Sequence, residues 1–195
     1  MTPQEFFAKY AKDAEEAMIA KGIPASVTLA QAAIESAYGA AAYENNFFGI
    51  KAGKGWTGKT QLLRTTEVLS SASEAELAAK KNGFHFPSVI SITPRPDGKY
   101  LWKVRDYFRA YDSARDGFID HANFFIVNSR YHQAILDEND AEKFAEDIAD
   151  AGYATAPNYG QTIINVIRKY NLLAYDGEAH RLAAQAAGVE PHKIV

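Results

Sequence analysis

Apolar residues recur at helical spacing from the start of the chain: Phe6, Phe7, Tyr10, Ala14, Ala17 and Met18, with Gly22 ending the run. The stretch opens on Thr2-Pro3-Gln4-Glu5, a capping residue with proline at the first helical position and glutamate at the third, which is a capping box. A second helix is predicted from Pro24 to Tyr38, with Val27, Ala30, Ile34 and Ala37 as its inner stripe and Gly39 as its stop. Its many small residues suit a central helix with close neighbours. The pattern then breaks into a Gly-rich loop followed by a strand from Gln61 to Leu69. Ser73-Glu74-Ala75-Glu76 opens a short helix that Gly83 closes, and strands Ser88–Thr93 and Tyr100–Tyr111 are joined through the turn signal Pro96-Asp97-Gly98.

Helical spacing returns at Ser113, with Phe118, Ile119, Ala122, Phe125 and Ile126 on one face. Asp140 caps a further helix that holds Phe144 and Ile148 inside and ends at Gly152; Pro157 starts another that buries Ile163, Ile164, Ile167 and Tyr170. After Asp176 the chain is Ala-rich and weakly amphipathic to Gly188, and its last residues read as frayed. Helices thus flank a small β-containing insertion. The expectation is one α+β domain, mainly α, over residues 1–176, with a β-lobe at about 50–111 and a C-terminal helical tail at 177–195.

Composition narrows the function. With 195 residues, 47% of them hydrophobic and 12% aromatic, the chain can bury a full core, and disorder is excluded. The 21 basic and 24 acidic side chains give a net charge of −3 without a basic block, which argues against a nucleic-acid role. No apolar run approaches the ~18 residues that a membrane span needs. Cysteine is absent, and the histidines at 85, 121, 132, 180 and 192 lack ligand spacing, so neither a metal nor a cofactor is expected. The first residues read as a helix start rather than a signal peptide. The 11 Tyr, 11 Phe and 2 Trp suit a packed core, a carbohydrate-binding surface, or both.

Gly53-Lys54-Gly55-Trp56-Thr57-Gly58-Lys59-Thr60 satisfies the spacing of a phosphate-binding loop. That loop needs a helix after it, whereas Gln61 to Thr66 favour a strand. A Gly-rich turn presenting Trp56 is the better account. More informative is Glu35, close to the C-terminal end of a helix that carries no other charge from Val27 to Ala37. An ordinary exposed helix glutamate is one reading. The other is a carboxylate facing apolar neighbours and the unfavourable end of the helix dipole, both of which raise a pKa. A glutamate that keeps its proton is what a glycosidic general acid requires.

The blocks Leu29 to Gly39 and Asn45-Asn46-Phe47-Phe48-Gly49-Ile50-Lys51 resemble glycoside hydrolase family 73, the peptidoglycan-cleaving glucosaminidases. Further similar blocks follow in order: Lys54-Gly55-Trp56, Thr65-Thr66-Glu67, Phe108 to Ser113, Asp120-His121, Ala151-Gly152-Tyr153-Ala154-Thr155 with Pro157 and Tyr159, and Tyr170-Asn171-Leu172 with Tyr175-Asp176. The resemblance implies a lysozyme-like fold, a helical body and a small β-lobe with a sugar-binding groove between them. It implies Glu35 as general acid, Glu67 as the second acidic residue and Tyr153 near the catalytic centre. For Glu67 the alternative is a cross-strand surface charge, and for Tyr153 a packing residue at a helix end.

Phe48, Trp56, Tyr131 and Tyr159 are candidates to stack on sugar rings, or else core residues, with Phe47 the more buried of its pair. Asn46 and Thr155 complete the candidate substrate-binding set; Asn46 could instead hold its loop by side-chain-to-backbone bonds. Asp120 and His121 read as an internal polar pair. Two departures from the family stand out: Ala156 where many relatives carry Asp, and a longer insertion at 70–98.

The expected activity is hydrolysis of the β-1,4 bond after N-acetylglucosamine in peptidoglycan glycan strands by a monomeric enzyme acting at the cell wall. Without a leader the chain would need release by lysis, delivery by a phage or injection machine, or trimming from a longer form. A lytic transglycosylase or muramidase on the same fold is the alternative, as is a non-catalytic wall-binding module of a phage tail or secretion apparatus.

Overall fold

The computed structural model describes residues 1–78 and 85–188, and the chain divides into two compact units, Met1–Gly49 with Tyr111–Val195, and Ile50–Ala110. The first unit is helical. Helix α1 (Pro3–Lys21) starts with the capping box, Glu5 N–H donating to Thr2 Oγ1 at 3.2 Å and Thr2 N–H to Glu5 Oε2 at 2.8 Å. It stops where Gly22 turns left-handed at φ 83° and returns its N–H to the Met18 carbonyl.

Helix α2 (Ala25–Glu35) is the centre of this unit, buried on every side from Ala25 to Ala33 and packed against α1 and the later helices. Its alanines let those neighbours approach closely. No side chain of its own caps its start. Ser26 instead donates from its N–H and Oγ to Asp176, at 2.8 and 2.6 Å, from the other end of the chain.

Helix α2 also ends earlier than the expected Tyr38. Tyr38 N–H reaches the Ala33 carbonyl at 2.8 Å and Ala37 N–H the Ile34 carbonyl, a Schellman closure with Ala37 in the left-handed position at φ 48°. Tyr38 (φ 55°) and Gly39 (φ 84°) extend the left-handed run, so Gly39 lies beyond the stop and does not make it.

The β-bearing unit contains β1 (Thr60–Leu69), a short helix α3 (Glu74–Ala78), β2 (Ser88–Pro94) and β3 (Tyr100–Arg109). The expected stop of α3 at Gly83 lies outside the described residues. The strands form one antiparallel sheet in the order β1-β3-β2, with Glu67 opposite Trp102 and Leu63 opposite Asp106. β3, paired on both sides, is the most buried strand: Trp102 and Val104 are fully buried and join Leu69 and Phe86 in a small core.

After the insertion the helical unit resumes with α4 (Ala114–Val127), α5 (His132–Leu136), α6 (Ala141–Asp150), α7 (Tyr159–Tyr170) and α8 (Leu173–Ala186). Ser113 and Asp140 cap α4 and α6 as the pattern predicts, whereas α5 has no counterpart in it. The boundary expected after Asp176 falls inside α8, which packs on α1 and α2 and buries Ala179. Up to Ala186 the tail is therefore a working part of the core; residues 189–195, expected to fray, lie outside the described residues. Among the described residues no helix is long and apolar enough to cross a membrane.

Candidate active site

Glu35 occupies the last position of α2, where the enclosed helix first opens to solvent. Its carboxylate is exposed, contrary to the expectation that a helix so short of solvent face would hold it among apolar neighbours. Enclosure applies to the first nine residues of α2, and it relaxes at Ile34 and Glu35 where the flanking helices no longer cover it. One side of the carboxylate is nevertheless fixed. The Tyr159 hydroxyl donates to Glu35 Oε1 at 2.7 Å, and that hydroxyl accepts from Gln31 Nε2 at 3.0 Å. A hydrogen bond here offsets the negative end of the α2 dipole, which would otherwise oppose a charge at this position.

Tyr159 is the first residue of α7 and is 6% exposed. Counting by fours along α7 gives Tyr159, Ile163 and Ile167, all buried, so the tyrosine belongs to the inward stripe. This corrects its assignment as a sugar-stacking residue: one ring face lies on Tyr153, with centroids 5.4 Å apart and planes at 17°. Gln31, absent from the sequence-based site, is fully buried one helical turn before Glu35. Its spacing of four from Glu35 is the signal that could have found it.

Tyr153 follows Gly152 (φ 77°) at the end of α6, where Tyr153 N–H meets the Ile148 carbonyl and Gly152 N–H the Ala149 carbonyl. This Schellman closure aims the half-buried ring inward. Its hydroxyl shares a 3.1 Å hydrogen bond with His121 Nε2 from α4. Burial, and then the nearby Glu35 charge, push the Tyr153 phenol well above its ordinary value. Burial does the same to Tyr159. His121 is pulled down to about 3 by burial, stacked on Phe48 with centroids 3.6 Å apart, and its Nδ1 has no partner. Asp120 points elsewhere and accepts from Tyr111 Oη at 2.6 Å, so Asp120 and His121 serve different partners rather than each other.

The other expected site residues of this unit are dispersed. Tyr131 is 0% exposed, packed among Phe124, Phe125 and Tyr153, and offers no ring face to a ligand. Its place in the 3-10 turn before α5 turns it into the core, which corrects the expectation of sugar stacking. Phe48 is half-buried with one face taken by His121; Phe47 is buried. Asn46 is also buried and closes a 3-10 turn through its N–H to the Tyr43 carbonyl, while neighbouring Asn45 ties the loop to the Tyr111 carbonyl at 2.9 Å. Thr155 is exposed.

Two expected residues belong to the β-bearing unit. Trp56 sits in the Gly-rich turn, its Nε1 donating to the Lys59 carbonyl at 2.9 Å and its ring under the Arg109 guanidinium at 4.4 Å. A Cβ at Gly58 would press on the Trp56 ring, so a larger residue there would displace the indole. A strand starts at Thr60, so no helix N-terminus faces a phosphate.

Glu67 shares the more buried face of β1 and accepts from Lys51 Nζ at 2.6 Å; the same ammonium meets Asp106 at 3.0 Å. Burial pulls the Lys51 pKa down, but the bonds to Glu67 and then Asp106 outweigh it and leave the pKa raised. Glu67 is thus neither a free carboxylate nor a simple cross-strand charge but one of two carboxylates in a lysine-centred triad. Among the described residues no group of three or more His, Asp or Glu converges as a metal site.

A family model described as glucosaminidase, mannosyl-glycoprotein endo-beta-N-acetylglucosaminidase, matches residues 11–172. Peptidoglycan hydrolase FlgJ of Vibrio parahaemolyticus is 30% identical over 174 residues, 86% of this chain and 47% of that protein. Exo-glucosaminidase LytG of Bacillus subtilis is 28% identical over 158 residues, 77% of this chain and 45% of that protein. The chain therefore spans about half the length of these curated relatives. The glycoside hydrolase domain of Salmonella typhimurium FlgJ aligns with a TM-score of 0.64 at 24% identity, covering 96% of this chain and 99% of that one, a likeness of fold.

Proposed function

Because the chain belongs to the glucosaminidase family, whose model spans residues 11–172, we propose that it is a peptidoglycan hydrolase cleaving the β-1,4 bond after N-acetylglucosamine. The observation that carries this reading is the carboxylate of Glu35, exposed at the mouth of a buried helix and gripped from one side by the buried Tyr159 hydroxyl. A carboxylate so placed can reach a substrate while its orientation stays fixed, which is the geometry of a positioned general acid. Cleavage requires a proton on the leaving oxygen and stabilisation of an oxocarbenium-like centre. In this proposal Glu35 supplies the proton. The names of FlgJ and LytG, a peptidoglycan hydrolase and an exo-glucosaminidase, support the substrate and the bond.

Tyr153, its hydroxyl tied to His121, is assigned to orient the N-acetyl group or to hydrogen-bond the developing centre. Glu67 is kept as the second acidic residue on its sequence resemblance. Its carboxylate accepts from Lys51 Nζ at 2.6 Å, a contact that fixes its orientation.

The test is digestion of purified cell walls with product analysis. The proposal expects reducing-end N-acetylglucosamine; reducing-end muramic acid or anhydro-muramic ends would assign a different bond or reaction, and binding without release of sugar would leave only a wall-binding module. Glu35→Gln is expected to lose activity by about a hundredfold or more with the fold intact. Near-normal turnover in that variant would remove Glu35 from the mechanism.

A further inference from the structure

A general acid must be held in two states, protonated before it gives up its proton and ionised afterwards. Hydrogen bonding that suits one state ordinarily opposes the other. Three side chains around Glu35 resolve this conflict. In the observed arrangement the Gln31 amide nitrogen, which can only donate, faces the Tyr159 oxygen. The single hydroxyl hydrogen of Tyr159 is therefore directed to Glu35 Oε1. That order suits an ionised Glu35. It leaves one loose end, because Gln31 Oε1 is buried with no hydrogen-bond partner. A buried acceptor without a donor is the exception in folded proteins and calls for a reason.

We propose that Gln31 and Tyr159 are positioning residues forming a reversible hydrogen-bond relay that reverses direction with the proton on Glu35. When Glu35 is protonated its O–H donates to the Tyr159 oxygen, the Tyr159 hydrogen turns to Gln31, and a half-turn of the amide presents Gln31 Oε1 to accept it. When the proton leaves Glu35 for the glycosidic oxygen, the chain runs back to the observed order. No bond to hydrogen forms or breaks at Tyr159 or Gln31; only a hydroxyl and an amide rotate. The acceptor unused in one state is thus the group that the other state needs.

The ionisable neighbours leave Glu35 as the group whose charge varies. Among the described residues of the helical unit, the titratable groups facing Glu35 are Tyr159 of α7 and Tyr153 of the preceding loop, with His121 of α4 behind Tyr153. All three stay neutral around pH 7, since burial raises both phenols and lowers His121 to about 3. The charge that changes during turnover is then the one on Glu35. This inference rests on the assignment of Glu35 as general acid, but its structural content can be measured without substrate.

The experiment follows the carboxyl 13C signal of Glu35 through a pH titration in the wild type and two variants, beside the alkaline limb of the pH–rate profile on cell walls. Tyr159→Phe removes the donor to the ionised form and the acceptor of the protonated form together; because a hydrogen bond to a charged group is the stronger of the two, the midpoint is expected to rise, by about one pH unit. Gln31→Met, or Gln31→Leu if the first fails to fold, removes the acceptor on which the protonated form relies. A buried hydroxyl hydrogen without an acceptor costs more than an oxygen with a spare lone pair. The midpoint is therefore expected to fall, by about half a unit. In the wild type the Gln31 side-chain amide protons should titrate with the Glu35 carboxyl, and they should stop doing so in Glu35→Gln.

Midpoints moving in opposite directions support the relay. Unmoved midpoints, or shifts of the same sign in both variants, overturn it and leave Gln31 and Tyr159 as packing residues. A wild type that releases no sugar while its midpoints shift as described would instead count against the hydrolase assignment alone.

Discussion

Acid should loosen the helical unit through one side chain, His121. It is 1% exposed, stacked on Phe48, edge-on to Phe125 and without a partner at Nδ1, so a second N–H would enter an apolar site. Burial lowers its pKa from 6.5 to about 3. Because the folded value is the depressed one, the folded state binds fewer protons than the unfolded state between these limits. Stability from this group is then complete above about pH 6.5 and is lost as pH falls towards 3. One proton corresponds to about 1.4 kcal/mol per pH unit, so lowering the pH from 7 to 5 should cost about 2 kcal/mol. That is a sizeable part of the ~5–15 kcal/mol that holds a typical domain folded.

Asp13, Glu15 and Asp176 act the other way, because burial raises each of them and the folded state takes up their protons first. The comparison that isolates His121 is therefore urea unfolding of wild type and His121→Phe at pH 7, 6 and 5. Far-UV circular dichroism is the proper probe: both tryptophans, Trp56 and Trp102, lie in the β-bearing unit, while His121 lies in the helical one. The variant should lack about one proton's worth of slope, so the stability difference should move by about 2 kcal/mol in the variant's favour from pH 7 to pH 5. Parallel pH dependences would refute the reasoning, since the imidazole would then be titrating as freely in the folded state as in the unfolded one.

Other consequences follow from single contacts. Ala37→Gly should stabilise the protein by up to about 1 kcal/mol in thermal melts, because glycine takes the left-handed position at φ 48° without steric cost. Asp176→Ala should destabilise by about 1–3 kcal/mol in urea unfolding, since it strips two hydrogen bonds from the start of α2. Gly58→Ala should broaden or shift the Trp56 signals in NMR spectra, as its Cβ would press on the indole. Lys51→Met should weaken the sheet by leaving Glu67 and Asp106 without their shared ammonium, visible as earlier loss of tryptophan fluorescence on heating.

Much of the architecture is legible in the chain because its signals are local. The capping box at Thr2, the left-handed glycines at 22 and 152, the Asp97-Gly98 turn and the alternation along β1 each act over a few residues. Where local signals mislead, packing is the cause. Gly39 looks like the stop of α2, yet the closure falls on Ala37, a non-glycine residue held left-handed by bonds back to Ala33 and Ile34. The weak amphipathicity after Asp176 suggests an appendage, yet Asp176 caps a helix that begins about 150 residues earlier.

The candidate site divides in the same way. The sequence by itself determined a solitary glutamate on an uncharged helix and the ordered blocks that place the chain in its family. It also determined that Tyr159 stands on the apolar stripe of α7, although that stripe is easily passed over beside the appeal of a tyrosine in a sugar enzyme. Only the tertiary structure decided that the exposed end of α2 meets the buried start of α7, so that Tyr159 grips Glu35 while Gln31 stands behind it. It also decided that Tyr131 is core and that Glu67 is paired with Lys51. The physical reason is range. Caps, turns and periodicity are energies within a few residues of chain, whereas the partner of a buried polar atom is set by which surfaces the hydrophobic core brings together.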